Sequence, residues 1–579
     1  MSFRTVAIIA HVDHGKTTLV DALLKQSTVK TEEAALIMDS NDQERERGIT
    51  IYAKNTSVQY GDHTINIIDT PGHADFGSEV ERVMRMVDSV ILVVDAYEGP
   101  MPQTKFVLKK ALEILKPIVV LNKIDKPAAR PEWVINQLFD LFITLGATDE
   151  QAEFPVVYAI AKEGKAFIKL DDPRVDIIPL FEEIIRIVPP AQDKSDQPLQ
   201  MQITNLGYDE FVRLGVGRVN AGTIKAGQQV QVVAVDGARR MAKISKLYKT
   251  VLGRVEVKEL CGDIITIAGI SDIYVGETVG VVVEALPTLT VDEPTLTMEF
   301  IVNDSPFMGK EGKFVTSRNL NERLMKELET NVLQIDFTDP TRFTVSGREL
   351  HLGVLIETMR REYELQVTAP QVITRRDDRG VLQEPYEQLV ITVDDTQVGA
   401  IIENISNRKG IMTGMHSEHG QTMVEFIIPT RGLLGFRDFI LLTKEGMMFH
   451  SFDHYGEWAG EIAKRDVSMI ASQGKVMKYG VYKLQERGPI FVEPAQEIYE
   501  GMIVEHLKDM VVNLTINKQM TNVRNAGNDD AMRLEPIRKM TLEDALYIGN
   551  DEYVEVTPKS IRLRKKYLTE SDRAKAKKK

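Results

Sequence analysis

The sequence predicts a multidomain chain of α/β plus β-barrel plus α+β class, and three observations carry that expectation. Short β-branched runs alternate with longer amphipathic segments over the first third, the pattern of a parallel sheet wrapped by helices. A stretch rich in Pro and polar residues, Val188–Gln200 (VPPAQDKSDQPLQ), then interrupts this pattern as a linker would. Beyond it the strands are short and punctuated by glycine, and from Thr295 strands and helices alternate at similar lengths.

In order, Thr5–Ala10, Thr64–Ile68, Val90–Val94, Ile118–Leu121 and Pro155–Ile160 are the expected strands of the first unit. Helical periodicity fills the intervals at Thr17–Lys25, Gln103–Leu115 and Pro131–Leu145. Val216–Val219, Ala221–Lys225, Gln228–Ala234, Ile264–Ala268 and Val279–Val283 are spaced as in a small barrel. Strand Leu296–Val302, helix Ser317–Val332, strand Phe343–Ser346 and helix Leu350–Tyr363 suggest a compact α+β unit. A second such unit starts near Pro385, with strand Leu389–Val393 and helix Gln397–Asn404. From about Lys478 the chain mixes strands and short helices and ends in a basic tail.

At about 150 residues per domain, 579 residues give roughly four domains. One cysteine, Cys261, excludes an intramolecular disulfide framework and fits a reducing compartment. The longest apolar runs, such as Val90–Val94, fall far short of the ~20 residues of a membrane span. Met1–Ala10 has neither the apolar stretch nor the cleavage site of a signal peptide. A soluble, cytoplasmic protein with no membrane partner is expected. The net charge of −14 argues mildly against nucleic acid, yet Pro558–Lys579 holds ten Lys/Arg against two acids. That segment is +8, which leaves −22 on the remainder, so the whole-chain value does not exclude RNA.

The run Ala10-His11-Val12-Asp13-His14-Gly15-Lys16-Thr17-Thr18 follows the first strand and opens a helix, the context of a phosphate-binding loop. Backbone N–H groups at a helix N-terminus suit an anion. Lys16 supplies a point charge to the β- and γ-phosphates, and Thr17 a hydroxyl to Mg²⁺. Ala10 stands where the usual pattern has its first glycine. Asp69-Thr70-Pro71-Gly72-His73 ends the next strand, so Asp69 is placed to hold Mg²⁺ through water and Gly72 to offer its N–H to the γ-phosphate. Thr50, in Arg47-Gly48-Ile49-Thr50-Ile51, lies in a long polar segment that γ-phosphate and metal could order. Asn122-Lys123-Ile124-Asp125 leaves the Ile118–Leu121 strand, and the Asp125 carboxylate suits the N1–H and 2-amino group of guanine. Adenine has neither donor, and a buried Asp125 left unpaired is costly, which excludes an ATPase. Ile160-Ala161-Lys162 closes the base pocket, with the Ala161 N–H facing guanine O6. Ile160 replaces the Ser that usually braces the base-reading Asp, so modestly weaker nucleotide binding is expected.

AHVDHGKTT, RGITI, DTPGH and NKID together resemble the translational GTPases that work on the ribosome. The resemblance implies that His73 aligns the attacking water, that Val12 and Ile49 gate it until ribosomal RNA repositions it, and that Asp13 helps orient this arrangement or a monovalent cation. Gly217-Arg218-Val219 and Gly222–Gly227 look like the second-domain barrel of elongation factors. Ser346–Gly353 and Met359–Glu362 look like the third domain of elongation factor G, with His351 structural. Met38–Asp42, Gly432–Arg437, Met447–Tyr455 and Thr557–Tyr567 are similar to the BipA/TypA subfamily, a likeness that covers essentially the whole chain.

This resemblance sharpens four domains to five: a P-loop GTPase domain (1–196), an elongation-factor-type β-barrel (197–290), two ferredoxin-like domains (291–378 and 379–478) and a family-specific mixed C-terminal domain (479–579). It implies GTP/GDP and Mg²⁺ as ligands, with (p)ppGpp as a competitor for the guanine pocket. It implies the 70S ribosome or a 50S precursor, with rRNA and A-site tRNA, as partners of a chain that is monomeric off the ribosome. The function expected is a ribosome-stimulated GTP hydrolase that regulates translation or large-subunit assembly under stress or low temperature. The alternatives are an elongation-factor-4 (LepA)-like remodeller, or an assembly chaperone whose hydrolysis only times release. Lys559, Arg562, Arg564, Lys565 and Lys566 alternate with or flank apolar residues and are the expected RNA contacts.

Overall fold

The structure, a computed structural model, describes the chain except residues 1, 12, 27–41, 48–49, 72–75, 113–115, 210–211, 251–253, 282–283, 288–292, 329–331, 419, 437–446, 463–468, 486–489, 506–509, 517–533, 535, 538–539, 577 and 579. It divides into two units, residues 1–292 with 329–332, and residues 293–328 with 333–579.

The first unit begins with a seven-stranded sheet in the order β2-β3-β1-β4-β5-β6-β7. These strands are β1 (Ser2–Ala10), β2 (Lys54–Tyr60), β3 (His63–Asp69), β4 (Ser89–Asp95), β5 (Pro117–Asn122), β6 (Val156–Ile160) and β7 (Lys165–Phe167). β1 pairs in parallel with β3 and β4, and the parallel run continues through β5 to β6. The antiparallel edges, β2 and β7, lie outside the five expected strands. β2 reads KNTSVQY and buries only its centre, and β7 has three residues, so neither carries an apolar run.

The alternation of a strand explains how one sheet feeds two cores. Val6, Ile8 and Ala10 of β1 join the cluster around Leu19, Leu23 and Phe181. Ala7 and Ile9 join the opposite cluster around Val80, Leu108 and Phe142. β4 and β5 are buried at every position because helices cover both faces. The carboxyl ends of the parallel strands, which end at Ala10, Asp69, Asp95 and Asn122, therefore form one rim, where open α/β sheets bind ligands.

A barrel-like sheet of eight strands follows the linker, running from Gln200–Asp209 to Thr278–Gly280. Arg239–Lys243 (RRMAK), Lys246–Thr250 (KLYKT) and Arg254–Val257 were not among the expected strands, since most of their outward positions are charged and the exposed Met241 and Val255 break the alternation. The barrel is keyed to the first sheet. Its Val216 and Ile264 pack in the Val80–Phe142 cluster, and Arg218 pairs with Asp88 at 2.8 Å and donates to the Met86 carbonyl at 2.9 Å.

The second unit contains the two expected ferredoxin-like folds. Leu296–Val302, Gln334–Asp339, Arg342–Gly347 and Leu365–Thr368 are ordered second, third, first, fourth, with helices Ser317–Leu328 and Glu349–Arg360 as crossovers. Leu382–Asp394, Ile411–Glu418, Gln421–Pro429 and Met447–Glu457 repeat that order around helix Val398–Asn407. The C-terminal segment is not a separate layer. Its strand Glu552–Val556 pairs with Leu365–Thr368, and the sheet continues through Ile561–Lys565, Met502–Glu505, Met469–Ala471 and Met510–Val512. The open edge of the first ferredoxin-like sheet is thus covered by the C-terminal segment.

The seam is held by buried polar groups. The Glu555 carboxylate is fully buried and accepts from Ser305 at 2.7 Å, Tyr499 at 2.8 Å, Asn303 at 3.1 Å and Arg562 at 3.1 Å. Arg562 also pairs with Glu311, while Arg564 donates to Gln366 at 2.7 Å and pairs with Asp304. Burial beside Glu555 holds the Tyr499 hydroxyl well above its ordinary pKa, so it stays a donor. Among the described residues, no helix is long and apolar enough to cross a membrane.

Removing one partner of a buried ion pair costs about 3–5 kcal/mol, because the other charge stays buried. Arg562→Leu is therefore expected to lower the stability of the second unit to urea by that much, followed by Trp458 fluorescence in a Trp133→Phe background. A stability within about 0.5 kcal/mol of the parent's would show that Glu311 and Glu555 do not depend on this cation.

Candidate nucleotide-binding site

The phosphate loop leaves β1 and enters helix α1 (Lys16–Lys25) through Gly15, whose φ of 92° is left-handed. A Cβ on Gly15 would stand 2.3 Å from Asn122 Nδ2, so the position also needs glycine for space. Asp13 is left-handed too, at φ 63°, a conformation that Asp tolerates better than most residues. The first N–H groups of α1 lack intrahelical acceptors, and a glycine cap brings no side-chain oxygen to them. An anion fits that place on both counts.

Lys16 projects to the end of β3. Its Nζ lies 2.9 Å from Thr50 Oγ1 and 2.9 Å from Asp69 Oδ1, and it donates to the Thr70 carbonyl. Thr50 Oγ1 is 3.5 Å from Asp69 Oδ2. Thr70 Oγ1 donates to the Ile8 carbonyl at 2.8 Å, which fastens this corner to β1. The residues fit Mg²⁺: a hydroxyl and a carboxylate converge on a cation already, and hard oxygens are what Mg²⁺ takes. Thr17, half-buried on the first turn of α1, brings the third expected ligand, and Thr18 beside it is exposed.

On the far side Asn122 ties three loops together. Its amide donates to the His14 carbonyl at 2.9 Å, and its Oδ1 accepts the Ala161 N–H at 3.0 Å. That N–H was expected to face guanine O6; here it is committed to Asn122. Lys123, at φ 60°, donates to the Asp13 carbonyl at 2.5 Å and pairs with Asp95 at 3.0 Å. Asp125 is half-buried and paired with Lys162, which holds its carboxyl below the ordinary range. It is therefore less buried than the argument against ATP assumed, because Lys162 and solvent both reach it. Ile160 is buried and makes no brace for Asp125, as expected from its side chain.

Asp95 was not foreseen, although it ends β4 on the ligand-binding rim. It is fully buried, and burial alone would raise its pKa. Lys126 at 2.8 Å, the Tyr97 N–H at 2.8 Å and Lys123 outweigh burial and bring it to about 2. His14 is buried, with Nε2 3.3 Å from Glu98, so it serves the loop through its backbone rather than its ring. Val12, Ile49, Gly72 and His73 lie outside the described residues, as does most of Met38–Asp42.

The expected RNA contacts divide. Arg562, Arg564 and Lys565 are buried in ion pairs, Lys565 with Asp551 at 3.1 Å and Glu552 at 2.9 Å, and are not available to phosphates. The cause is the strand position: Ile561–Lys565 is a central strand, paired on both sides and covered on its faces. Lys559 and Lys566 remain exposed.

A phosphate loop joined to a switch threonine, a metal-type aspartate and an Asn-Lys-x-Asp base loop defines a P-loop GTP-binding protein. The Elongation factor Tu GTP binding domain family matches residues 1–190, the Elongation factor G C-terminus family residues 381–466 and the TypA/BipA C-terminal domain family residues 466–570. Full-length relatives named "Large ribosomal subunit assembly factor BipA" are 51% identical in Bacillus subtilis, covering 100% of this chain and 98% of the relative. The Haemophilus influenzae relative of the same name is 50% identical, over 99% of this chain and 97% of its own. The chain belongs to the TypA/BipA family of GTPases. A crystal structure of a protein from Thermus thermophilus shares the fold, with a TM-score of 0.53 at 16% identity, over 79% of this chain and 97% of that one.

Asn122→Ala orphans buried groups at about 1–3 kcal/mol each, so GDP and GTP affinity should both fall about ten- to a hundredfold in fluorescent-nucleotide titrations. Equal affinity would remove Asn122 as the tie between loops. Asp95 has an ordinary pKa of 3.8 and a folded value of about 2. Its stabilisation is thus complete above about pH 4 and lost as pH falls through about 2. Asp95→Asn should cost on the order of 2 kcal/mol at pH 7, with the two unfolding midpoints converging toward about pH 2. A gap independent of pH would assign the loss to packing instead.

Proposed function

We propose that this chain is a ribosome-associated GTPase whose hydrolysis step governs its residence on the large subunit or its precursors. The observation that carries the reading is the junction of Lys16 with Thr50 and Asp69, which links the phosphate loop to both switch segments. Support for the ribosomal role comes from relatives of full length named as large ribosomal subunit assembly factors.

In this reading Lys16 and the first N–H groups of α1 hold the β- and γ-phosphates, and Asp125 takes the two guanine donors while Lys123 and Lys162 flank the base. Thr17, Thr50 and Asp69 would hold Mg²⁺, which would supply positive charge to neutralise the phosphates. His73 aligns the attacking water, Val12 and Ile49 shield it until the ribosome engages, and the Gly72 N–H marks the γ-phosphate. Asp13 helps to orient this set or a monovalent cation. Catalysis is then positioning plus electrostatics on a loose phosphoryl transition state. Guanine recognition makes (p)ppGpp a competing ligand. The exposed Lys559 and Lys566 contact rRNA or A-site tRNA when this cytoplasmic protein, a monomer off the ribosome, docks there.

His73→Ala should keep GTP affinity within about twofold while ribosome-stimulated single-turnover hydrolysis falls about a hundredfold or more. The trapped variant should pellet with immature 50S particles; accumulation on 70S ribosomes alone would favour a translational role over assembly. Lys559→Glu with Lys566→Glu should reduce pelleting and flatten its salt dependence, and an unchanged salt slope would exclude these lysines as phosphate contacts.

A further inference from the structure

Glu44 lies in the short helix Asp42–Arg47, six residues before Thr50, and nothing in the mechanism above uses it. Its side chain is buried, an unusual placement for a carboxylate on a six-residue helix. The burial is compensated by three donors from the stretch that follows. Glu44 Oε1 accepts the N–H of Ile51 at 2.8 Å and of Tyr52 at 3.1 Å, and Oε2 pairs with Lys54 Nζ at 2.5 Å. One carboxylate of the short helix thereby holds three successive points of the stretch that enters β2, Ile51, Tyr52 and Lys54. Thr50 sits immediately before the two captured N–H groups.

The consequence is geometric. Thr50 Oγ1 reaches Lys16 and Asp69 only if the backbone beginning at Ile51 enters β2 in a fixed place, and buried Ile51 together with Glu44 fixes it. β2 pairs in register with β3, Lys54 opposite Asp69, so the same carboxylate that grips Lys54 sets the distance between the two switch residues. We infer that Glu44 is a positioning residue that presents Thr50 to the γ-phosphate–Mg²⁺ end of the site, acting through the Ile51 and Tyr52 N–H groups and Lys54. This rests on the GTP–Mg²⁺ reading above. Its energetic weight falls on the triphosphate state, because Thr50 is proposed to serve the metal and γ-phosphate, while GDP is held chiefly by the phosphate loop and the base pocket.

The test is binding, independent of turnover. Full-length protein carrying Glu44→Ala or Glu44→Gln is titrated with fluorescent GDP and with a non-hydrolysable GTP analogue across a Mg²⁺ series. Glu44→Ala should weaken the analogue about tenfold and raise the Mg²⁺ concentration needed for half-maximal analogue binding, with GDP affinity within about twofold. Glu44→Gln keeps an acceptor oxygen for the two N–H groups and loses only the charge facing Lys54. It should therefore recover most of the analogue affinity, to within about threefold of the parent. Equal losses for GDP and the analogue in Glu44→Ala, or no loss for either, overturn the inference, as does a Glu44→Gln variant no better than Glu44→Ala. If the parent itself shows no Mg²⁺-dependent binding of the analogue, the failure belongs to the GTP–Mg²⁺ reading rather than to Glu44.

Discussion

The side-chain amide of Asn122 is the constraint on which the site depends. It stands at the end of β5, so close to Gly15 that no larger residue fits there, and it spends both of its polar atoms on backbone of other loops. A buried amide with a donor and an acceptor satisfied by separate segments has one low-energy pose, which makes it a rigid spacer. The phosphate loop, the base-reading loop and the Ala161 turn are thereby held at fixed separations before any nucleotide arrives. Lys123 and Lys126 extend the same framework downward onto Asp95, so that the cations beside the base loop are themselves braced by a buried anion.

The legible parts of the sequence were those in which a local rule and a tertiary role coincide. The five parallel strands announced themselves as β-branched runs because they are largely buried, the central ones on both faces. Gly15, Lys16, Asp69 and Asn122 were legible because each sits at or just beyond the carboxyl end of such a strand. The rim strands of the barrel went unseen since charged residues occupy most of their outer positions, and periodicity that weak does not separate strand from loop. Asp95 and Glu44 were missed for a different reason. Their importance lies in partners dozens of residues away or on a neighbouring turn, and nothing in a single carboxylate's sequence context reports who will face it.

The basic end of the chain shows how charge read from sequence can mislead. Arg562, Arg564 and Lys565 look like a polyanion-binding stripe, and their net charge is real. The structure spends that charge internally on Glu311, Glu555, Asp304, Asp551 and Glu552, which come from separated stretches of an acidic chain. Alternation with Ile561 and Leu563 was the signal of a strand, and a strand in the middle of a covered sheet has no outward face to offer. Of the five cations expected to meet RNA, those left for an external partner are Lys559 and Lys566, which flank that strand.

The central place of Ile561–Lys565 also bears on how the protein is made. That strand lies between Glu552–Val556 and Met502–Glu505, and it follows both of them in the sequence. A growing polypeptide can finish the first unit early, since its sheet and barrel draw on a nearly continuous stretch of sequence. The second unit cannot close its sheet until Ile561–Lys565 has been made, long after its first strand Leu296–Val302, and until then its inner faces and the carboxylates awaiting Arg562 stand exposed. The wait between the first strand of this sheet and its central one is thus the period in which this half is most exposed to misassembly.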